Sequence, residues 1–288
     1  MFESFQLKSC GTGLLGYRWE AANPAAAVCM LHGICEHSGR FDKLAEILKA
    51  LGISTFSFDL RGHGGSVGQR GHTGPRETVL RDVDSLVAYA RAAHATLPIV
   101  LYGHSLGGNI ALDYRLRGLL SAVPAAYIVA SPWLELRRRI PTWLYRFVKV
   151  IAKVRPDFPL GAGIRADMLG NPQIIEAMRH DPFIHNRISA LTALESHEIA
   201  DKLMKRLITD RCGGGEKPLF LMHGTADEIC SIEATRAFAA AEGAHCTLIE
   251  WDGYLHELHN GGPDATGEAV MERIAEIVLS FTPQADRA

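Results

Sequence analysis

The chain has 288 residues, 47 % hydrophobic and 22 % charged, with a formal net charge of -2. That balance suits one large α/β domain with an insertion, or two small domains, with a core buried without staples or metals. Near-neutral charge excludes the basic excess usual in nucleic-acid binders, and no apolar run approaches the length needed to span a bilayer.

Phe5 to Lys8 and Leu14 to Trp19 flank Gly11 and Gly13 and read as a hairpin. Ala25 to Leu31 is a short apolar run ending at His32-Gly33, expected as a buried strand. Phe41 to Leu51 has helical spacing, with Leu44, Ile47, Leu48 and Leu51 on one face and Gly52 as the stop. Ile53 to Phe58 is the next strand and feeds the glycine-rich turn Asp59 to Ser66. That turn lacks the Lys-Ser/Thr of a phosphate-binding loop and the dinucleotide-binding spacing, so it reads as structural. A helix over Thr78 to Ala93, a strand over Pro98 to Tyr102, a helix from Gly108 to about Arg117 and a strand over Ala125 to Ala130 follow. Such alternation implies parallel strands with crossover helices on both faces.

The pattern breaks at Ser131-Pro132. From Trp133 to about Met204 the chain reads as helical, with no strand-like run, and alternation resumes after the loop Cys212 to Gly215. Leu219 to Met222 and Thr247 to Trp251 are strands; Glu233 to Ala241 and Ala269 to Phe281 are helices. The expected organisation is a core of residues 1–132 and 205–288 with a helical cap insertion at 133–204. Within the insertion, Ile140 to Val154 places Trp143, Leu144, Phe147, Val148 and Ile151 on an apolar face, with Arg146, Lys149 and Lys153 beside it and Arg137 to Arg139 before it. A basic amphipathic helix of this kind suits an anionic membrane surface. It also suits, and more readily, a helix packed on the core over an acyl tunnel.

Gly103-His104-Ser105-Leu106-Gly107 fits G-x-S-x-G between a strand and a helix, the context in which a nucleophilic serine sits on a sharp, strained turn. A serine hydroxyl needs a base, and the base an orienting acid. In this architecture the chain order is serine, acid, histidine. Asp227 follows the strand Leu219 to Met222, and His256 follows the strand Thr247 to Trp251. Parallel strands end on one edge, so Ser105, Asp227 and His256 can converge there. Glu228, Asp252 and His259 are the competing candidates. Two N–H donors must hold the oxyanion: Leu106, after the nucleophile, and Ile34, in the loop after the strand Ala25 to Leu31. The α/β-hydrolase fold is the expectation, with a mostly parallel central sheet.

His32 to Arg40 (HGICEHSGR) resembles the H-G-x-x-E-H-S-G-R segment of monoacylglycerol lipases and related lysophospholipase-like hydrolases. The turn Asp59 to Ser66 is similar to their D-x-x-G-H-G-x-S, and Asp181 to His185 to their D-P-L-V-H. The resemblance runs from about residue 4 to 282. It implies cleavage of single-chain lipid esters, monoacylglycerol to fatty acid and glycerol, with Glu36, Arg40 and His259 at the alcohol end. Glu36 and Arg40 read equally as an ion pair holding the loop. Cys35 departs from the small glycine common in the family, and Cys230 matches a cysteine found in some members. The substrate alternatives are a lysophospholipid, a small soluble ester, or acyl transfer to another alcohol. A non-catalytic binding protein of the same fold is the reading from another class.

No cofactor is called for, and the thirteen histidines form no convincing metal set; His256-Glu257-Leu258-His259 has the wrong spacing for HExxH. The six scattered cysteines read as reduced thiols, with disulfides as the alternative. Met1 to Cys10 show no secretory pattern, so a cytoplasmic protein is expected, with contact to a membrane through the cap as a further expectation.

Overall fold

The computed structural model describes residues 2–263 and 266–283. The hairpin forms as expected: β1 (Glu3–Ser9) pairs antiparallel with β2 (Thr12–Trp19), Ser9 opposite Thr12. Cys10 and Gly11 make the turn at φ 47° and 73°, both left-handed, as a two-residue turn between twisted strands requires.

Six further strands complete the sheet: β3 (Ala26–Leu31), β4 (Ile53–Phe58), β5 (Ile99–His104), β6 (Ala126–Ala130) and, later in the chain, Leu219–Gly224 and Cys246–Trp251. Every residue of β3, β4, β5 and β6 is buried, the pattern of strands covered on both faces. The covers are α1 (Asp42–Ala50), α2 (Arg76–Ala93), α3 (Leu106–Arg117) and the C-terminal helix Glu268–Leu279. Val83, Leu86, Ile110 and Leu101 belong to one core layer; Leu44, Leu48, Ile274 and Tyr102 belong to the other. Adjacent residues of β5 thus feed opposite layers, as the two-residue strand period dictates.

Between β6 and the strand at Leu219–Gly224 lie α4 (Thr142–Val154), β7 (Pro159–Gly161), α5 (Pro172–Arg179), β8 (Arg187–Ser189) and α6 (Ala190–Met204). The segment is not purely helical: β7 and β8 pair antiparallel, Leu160 opposite Ile188. Strands of three residues, the first opening on Pro159, show no period for a sequence pattern to register. Helix α4 packs on α6 through Val148, Ala152, Ala190 and Leu194, while Ile199 and Leu203 of α6 enter the main core.

With the later strands numbered β9 (Leu219–Gly224) and β10 (Cys246–Trp251), and α7 (Ile232–Glu242) and α8 (Glu268–Leu279) as the helices, the sheet order is β1-β2-β4-β3-β5-β6-β9-β10. All pairings from β4 to β10 are parallel. Leu31 lies opposite Gly103, His104 opposite Ala130, and Gly224 opposite Trp251, so the loops after β3, β5, β9 and β10 leave from one edge. Among the described residues no helix is long and apolar enough to cross a membrane.

Candidate active site

Ser105 stands between β5 and α3 at φ 54°, ψ −113°, a strained conformation for a residue with a Cβ. Three backbone bonds hold it there: its N–H donates to Ala130 O at 3.0 Å, and its carbonyl accepts from Asn109 at 3.0 Å and Trp133 at 3.1 Å. The flanking glycines are required sterically. A Cβ on Gly103 would lie 2.4 Å from Gly107 O, and one on Gly107 would lie 2.1 Å from Leu31 O. The first turn of α3 then presents its N–H groups, Leu106 first, at the positive end of the helix dipole.

The loops after β9 and β10 bring Asp227 and His256 to this serine. His256 Nε2 lies 2.8 Å from Ser105 Oγ, and His256 Nδ1 lies 2.7 Å from Asp227 Oδ2. All three side chains are buried. Asp227 Oδ1 accepts from the N–H groups of Ile229 and Cys230 at 2.7 and 3.0 Å. Its Oδ2 is also 3.1 Å from His223 Nε2. Burial alone would raise the Asp227 carboxyl, but the charge of His256 and the bond from His223 reverse that and hold it far below the carboxylate range. Burial pulls the His256 imidazole down; Asp227, then Glu257 and Glu36, outweigh it and lift it above the ordinary histidine value. An imidazole so placed can take the serine proton and return it to a leaving group.

The loop after β3 lies across Ser105. Gly33 N–H donates to Glu36 Oε1 at 2.6 Å, and the next residue, Ile34, lines both cavities beside Ser105. The loop is fixed by the turn that follows β4: Asp59 accepts from Ser38 N–H and Gly65 N–H at 2.8 Å each and from Tyr17 Oη at 2.9 Å. The Asp59 to Ser66 turn is structural. Cys35 adopts φ 70°, which accounts for glycine as the easier residue at that point. Its thiol, pushed up to about 12 by burial, donates to Arg187 O at 3.4 Å.

Glu36 and Arg40 both reach the site and are bonded to each other: Arg40 Nη1 donates to Glu36 Oε2 at 3.1 Å. Arg40 also grips Glu257 through two bonds of 2.5 Å. His259 does not join them. It is buried beside Tyr102, its Nδ1 3.1 Å from the phenol oxygen, off the walls of both cavities described below, and burial pulls its imidazole down to about 4. Of the competing acids, Glu228 lines the larger cavity, and Asp252 accepts from Thr225 Oγ1 at 3.0 Å. Sequence reasoning missed Glu257 and His223; their only signal was position, one residue after His256 and four before Asp227.

Two cavities meet at Ser105 and Ile34. One, of about 480 Å³, is walled mainly by apolar side chains including Trp133, Leu144, Val148, Met168 and Leu194, with Arg138, His197 and Glu228 also on its wall. The other, of about 310 Å³, has Glu36, Arg40, His104, Arg179 and Glu257 among its walls. Among the described residues no group of three or more metal-binding side chains is placed to hold an ion.

The sheet order, the serine on a strained strand-to-helix turn and the returning histidine define an α/β-hydrolase. The chain belongs to the Hydrolase_4 family, described as serine aminopeptidase, S33, which matches residues 22–262. An uncharacterized abhydrolase domain-containing protein of Dictyostelium discoideum is 30 % identical over 82 % of this chain, which spans only 25 % of that protein. A monoacylglycerol lipase of Mycolicibacterium smegmatis is 28 % identical over 83 % of each chain. The crystal structure of Paleococcus ferrophilus monoacylglycerol lipase superposes with a TM-score of 0.81 at 28 % identity, covering 93 % of this chain and 98 % of that one.

Proposed function

We propose that this chain is a carboxylic ester hydrolase acting on single-chain lipids, with monoacylglycerol cleaved to fatty acid and glycerol as its principal reaction. The observation that carries the reading is two cavities joined at Ser105, the larger walled mainly by aliphatic and aromatic side chains and the smaller holding the Glu36–Arg40–Glu257 cluster. An ester of a long acid with a small polar alcohol has two unlike halves, and its carbonyl carbon falls at the junction. The acyl chain occupies the apolar cavity. The alcohol meets Glu36 and Arg40, which offer the acceptors and donors a glycerol needs. The monoacylglycerol lipases of similar sequence and structure support the same substrate class.

In this mechanism Ser105 is the nucleophile. His256 takes its proton as Oγ attacks the ester carbonyl, and Asp227 fixes the imidazole tautomer. The N–H groups of Ile34 and Leu106 hold the oxyanion. His256 then protonates the leaving alcohol, and water activated by the same imidazole cleaves the acyl-enzyme. Residues 133–204 act as a cap over the apolar cavity. Fluorophosphonate labelling at Ser105, with release of glycerol from monoacylglycerol, tests the assignment. An enzyme that is unlabelled and inert would be a binding protein of the same fold. Arg179, on the wall of the smaller cavity and 3.6 Å from Glu176, favours one second reading, a lysophospholipid with an anionic head group. The ratio of rates on lysophosphatidate and monoacylglycerol separates the two.

The same cap meets a membrane through α4. Trp143, Phe147, Val150 and Val154 are 70, 49, 60 and 80 % exposed and recur at helical spacing as one outward stripe. Arg146 and Lys153 flank it, and Arg137 to Arg139 precede it, all exposed. That pairing of apolar stripe and basic flank fits an anionic lipid surface. The six free cysteines suit a reducing, cytoplasmic setting. Sedimentation with phosphatidylglycerol vesicles, and its loss in Trp143→Ser/Phe147→Ser, tests the contact.

A further inference from the structure

Arg40, Glu36 and Glu257 are three ionisable side chains buried within one active site, their side chains 9, 5 and 3 % exposed. Burying such a group is costly, and an apolar trio of similar volume would serve folding stability as well or better. Their geometry points to another purpose. Glu257 immediately follows His256. Both of its oxygens accept from Arg40, fork against fork, at 2.5 Å each. Arg40 Nη1 also donates to Glu36 Oε2 at 3.1 Å, and Glu36 Oε1 accepts from Gly33 N–H at 2.6 Å. Gly33 precedes Ile34.

We propose that Glu257 is a positioning residue for the reaction: through Arg40 and Glu36 it locks the loop that carries His256 to the loop that carries the oxyanion donor Ile34. The two loops leave strands that are not neighbours, since β5, β6 and β9 lie between β3 and β10. The strand ends are therefore roughly 19 Å apart at sheet spacing. Sheet hydrogen bonding cannot set one loop against the other, whereas catalysis needs His256 Nε2, Ser105 Oγ and the oxyanion donors in fixed relation. A bidentate guanidinium–carboxylate bond fixes distance and plane together. Glu257 is anchored in turn, because its N–H donates to Leu169 O at 2.8 Å.

The cluster also bears on the charge at His256. That imidazole is faced by Asp227 from the loop after β9, by Glu257 on its own loop, and by Glu36 and Arg40 from the loop after β3. His104 of β5 stands with its ring 4.9 Å away, and His259 lies beyond it. Burial keeps His104 well below the usual histidine range, so it adds no charge near neutrality. Burial pushes Glu257 up, but the charge of Arg40 and its two bonds more than reverse this and keep the carboxyl ionised. Burial raises the Glu36 carboxyl to about 7 despite Arg40, so Glu257 is the fully charged neighbour that favours protonated His256, joined by Glu36 in its ionised form.

The proposal rests on the reading of Ser105 and His256 as nucleophile and base, which fluorophosphonate labelling of the unaltered enzyme settles independently. Glu257→Gln keeps an acceptor for Arg40 and removes the charge; Glu257→Leu removes both. With p-nitrophenyl butyrate, whose leaving group has no hydroxyls for Glu36 or Arg40 to bind, kcat should fall about tenfold in Glu257→Gln and about 100-fold in Glu257→Leu. KM should stay within about twofold, and the acid limb of kcat/KM should move to lower pH in both variants. Arg40→Met added to Glu257→Leu should cost little more than either change alone, because both break one lock. Wild-type kcat in folded Glu257→Gln with an unmoved acid limb would overturn the proposal. So would an effect confined to KM for monoacylglycerol, which would make the cluster a substrate contact only. If Glu257→Leu fails to fold, Glu257→Gln alone carries the decision.

Discussion

His37 Nε2 lies 2.7 Å from Asp181 Oδ2, joining the loop that holds Ile34 to the cap segment after α5. Gly39 N–H donates to His37 Nδ1 at 3.2 Å, so Nε2 carries the proton and donates it to the carboxylate. His185 N–H adds a second tie, to Cys35 O at 3.1 Å. Asp181→Ala should therefore cost about 1 kcal/mol of stability near pH 7. Burial pushes the Asp181 carboxyl up, but the bonds from His37 and Phe183 prevail and hold it below its ordinary value. The folded state thus binds this proton less readily than the unfolded chain. The contribution is present above the ordinary carboxylate range and disappears as pH falls through the lower, folded-state value. Thermal unfolding of both proteins at pH 7 and in strong acid should show the difference shrink.

Ser105→Ala should reduce p-nitrophenyl butyrate hydrolysis by about 10⁴-fold or more with the fold unchanged. Undiminished turnover would remove Ser105 from the mechanism. Because the position is held at φ 54°, Ser105→Gly should be more stable than Ser105→Ala by about 1 kcal/mol. Equal melting temperatures would show that the turn is unstrained.

The acid limb of kcat/KM on a soluble ester reports the free-enzyme base. With His256 lifted by Asp227 against the pull of burial, half-activity should lie above the ordinary histidine value of about 6.5. Activity should be lost as pH falls through that point, because the protonated imidazole cannot accept from Ser105. A limb below about pH 6 would contradict the electrostatics of the site.

Gly107→Ala should be among the most damaging single-methyl changes in the chain. The added carbon would meet backbone, Leu31 O at 2.1 Å and His32 O at 2.7 Å. Backbone cannot rotate away, so a loss of about 3 kcal/mol or more is expected, measured by denaturant unfolding.

Ala193 lines the apolar cavity. Ala193→Phe should shorten it, leaving butyrate esters within about threefold of wild type while long-chain esters lose about 10- to 100-fold in kcat/KM. A uniform loss across chain lengths would place the acyl chain elsewhere.

The sheet was legible because each buried strand is a short apolar run bounded by turn residues, and each covering helix shows its own period. The convergence of Ser105, Asp227 and His256 was legible for a topological reason: residues just past parallel strand ends share an edge. The cap was not. The strands Pro159–Gly161 and Arg187–Ser189 owe their pairing to tertiary placement, and three residues carry no alternation to detect. His259 was expected at the alcohol end, but the turn Leu258–Asn260 carries it inward against Tyr102. The polar contact next to His256 is Glu257, whose partner Arg40 lies 217 positions away. Nothing local in the sequence joins them.

Helix α4 has two apolar faces. Leu144, Tyr145 and Val148 wall the apolar cavity, while Trp143, Phe147 and Val150 look outward. An enzyme bound by its outer stripe would have the wall of its acyl chamber lying in the headgroup layer. A lipid could then pass from leaflet to chamber through a gap beside one helix, without dispersing in bulk water. Its turnover would follow the mole fraction of substrate in the bilayer rather than moles per litre, and diluting the substrate with inert lipid would slow it at constant total concentration.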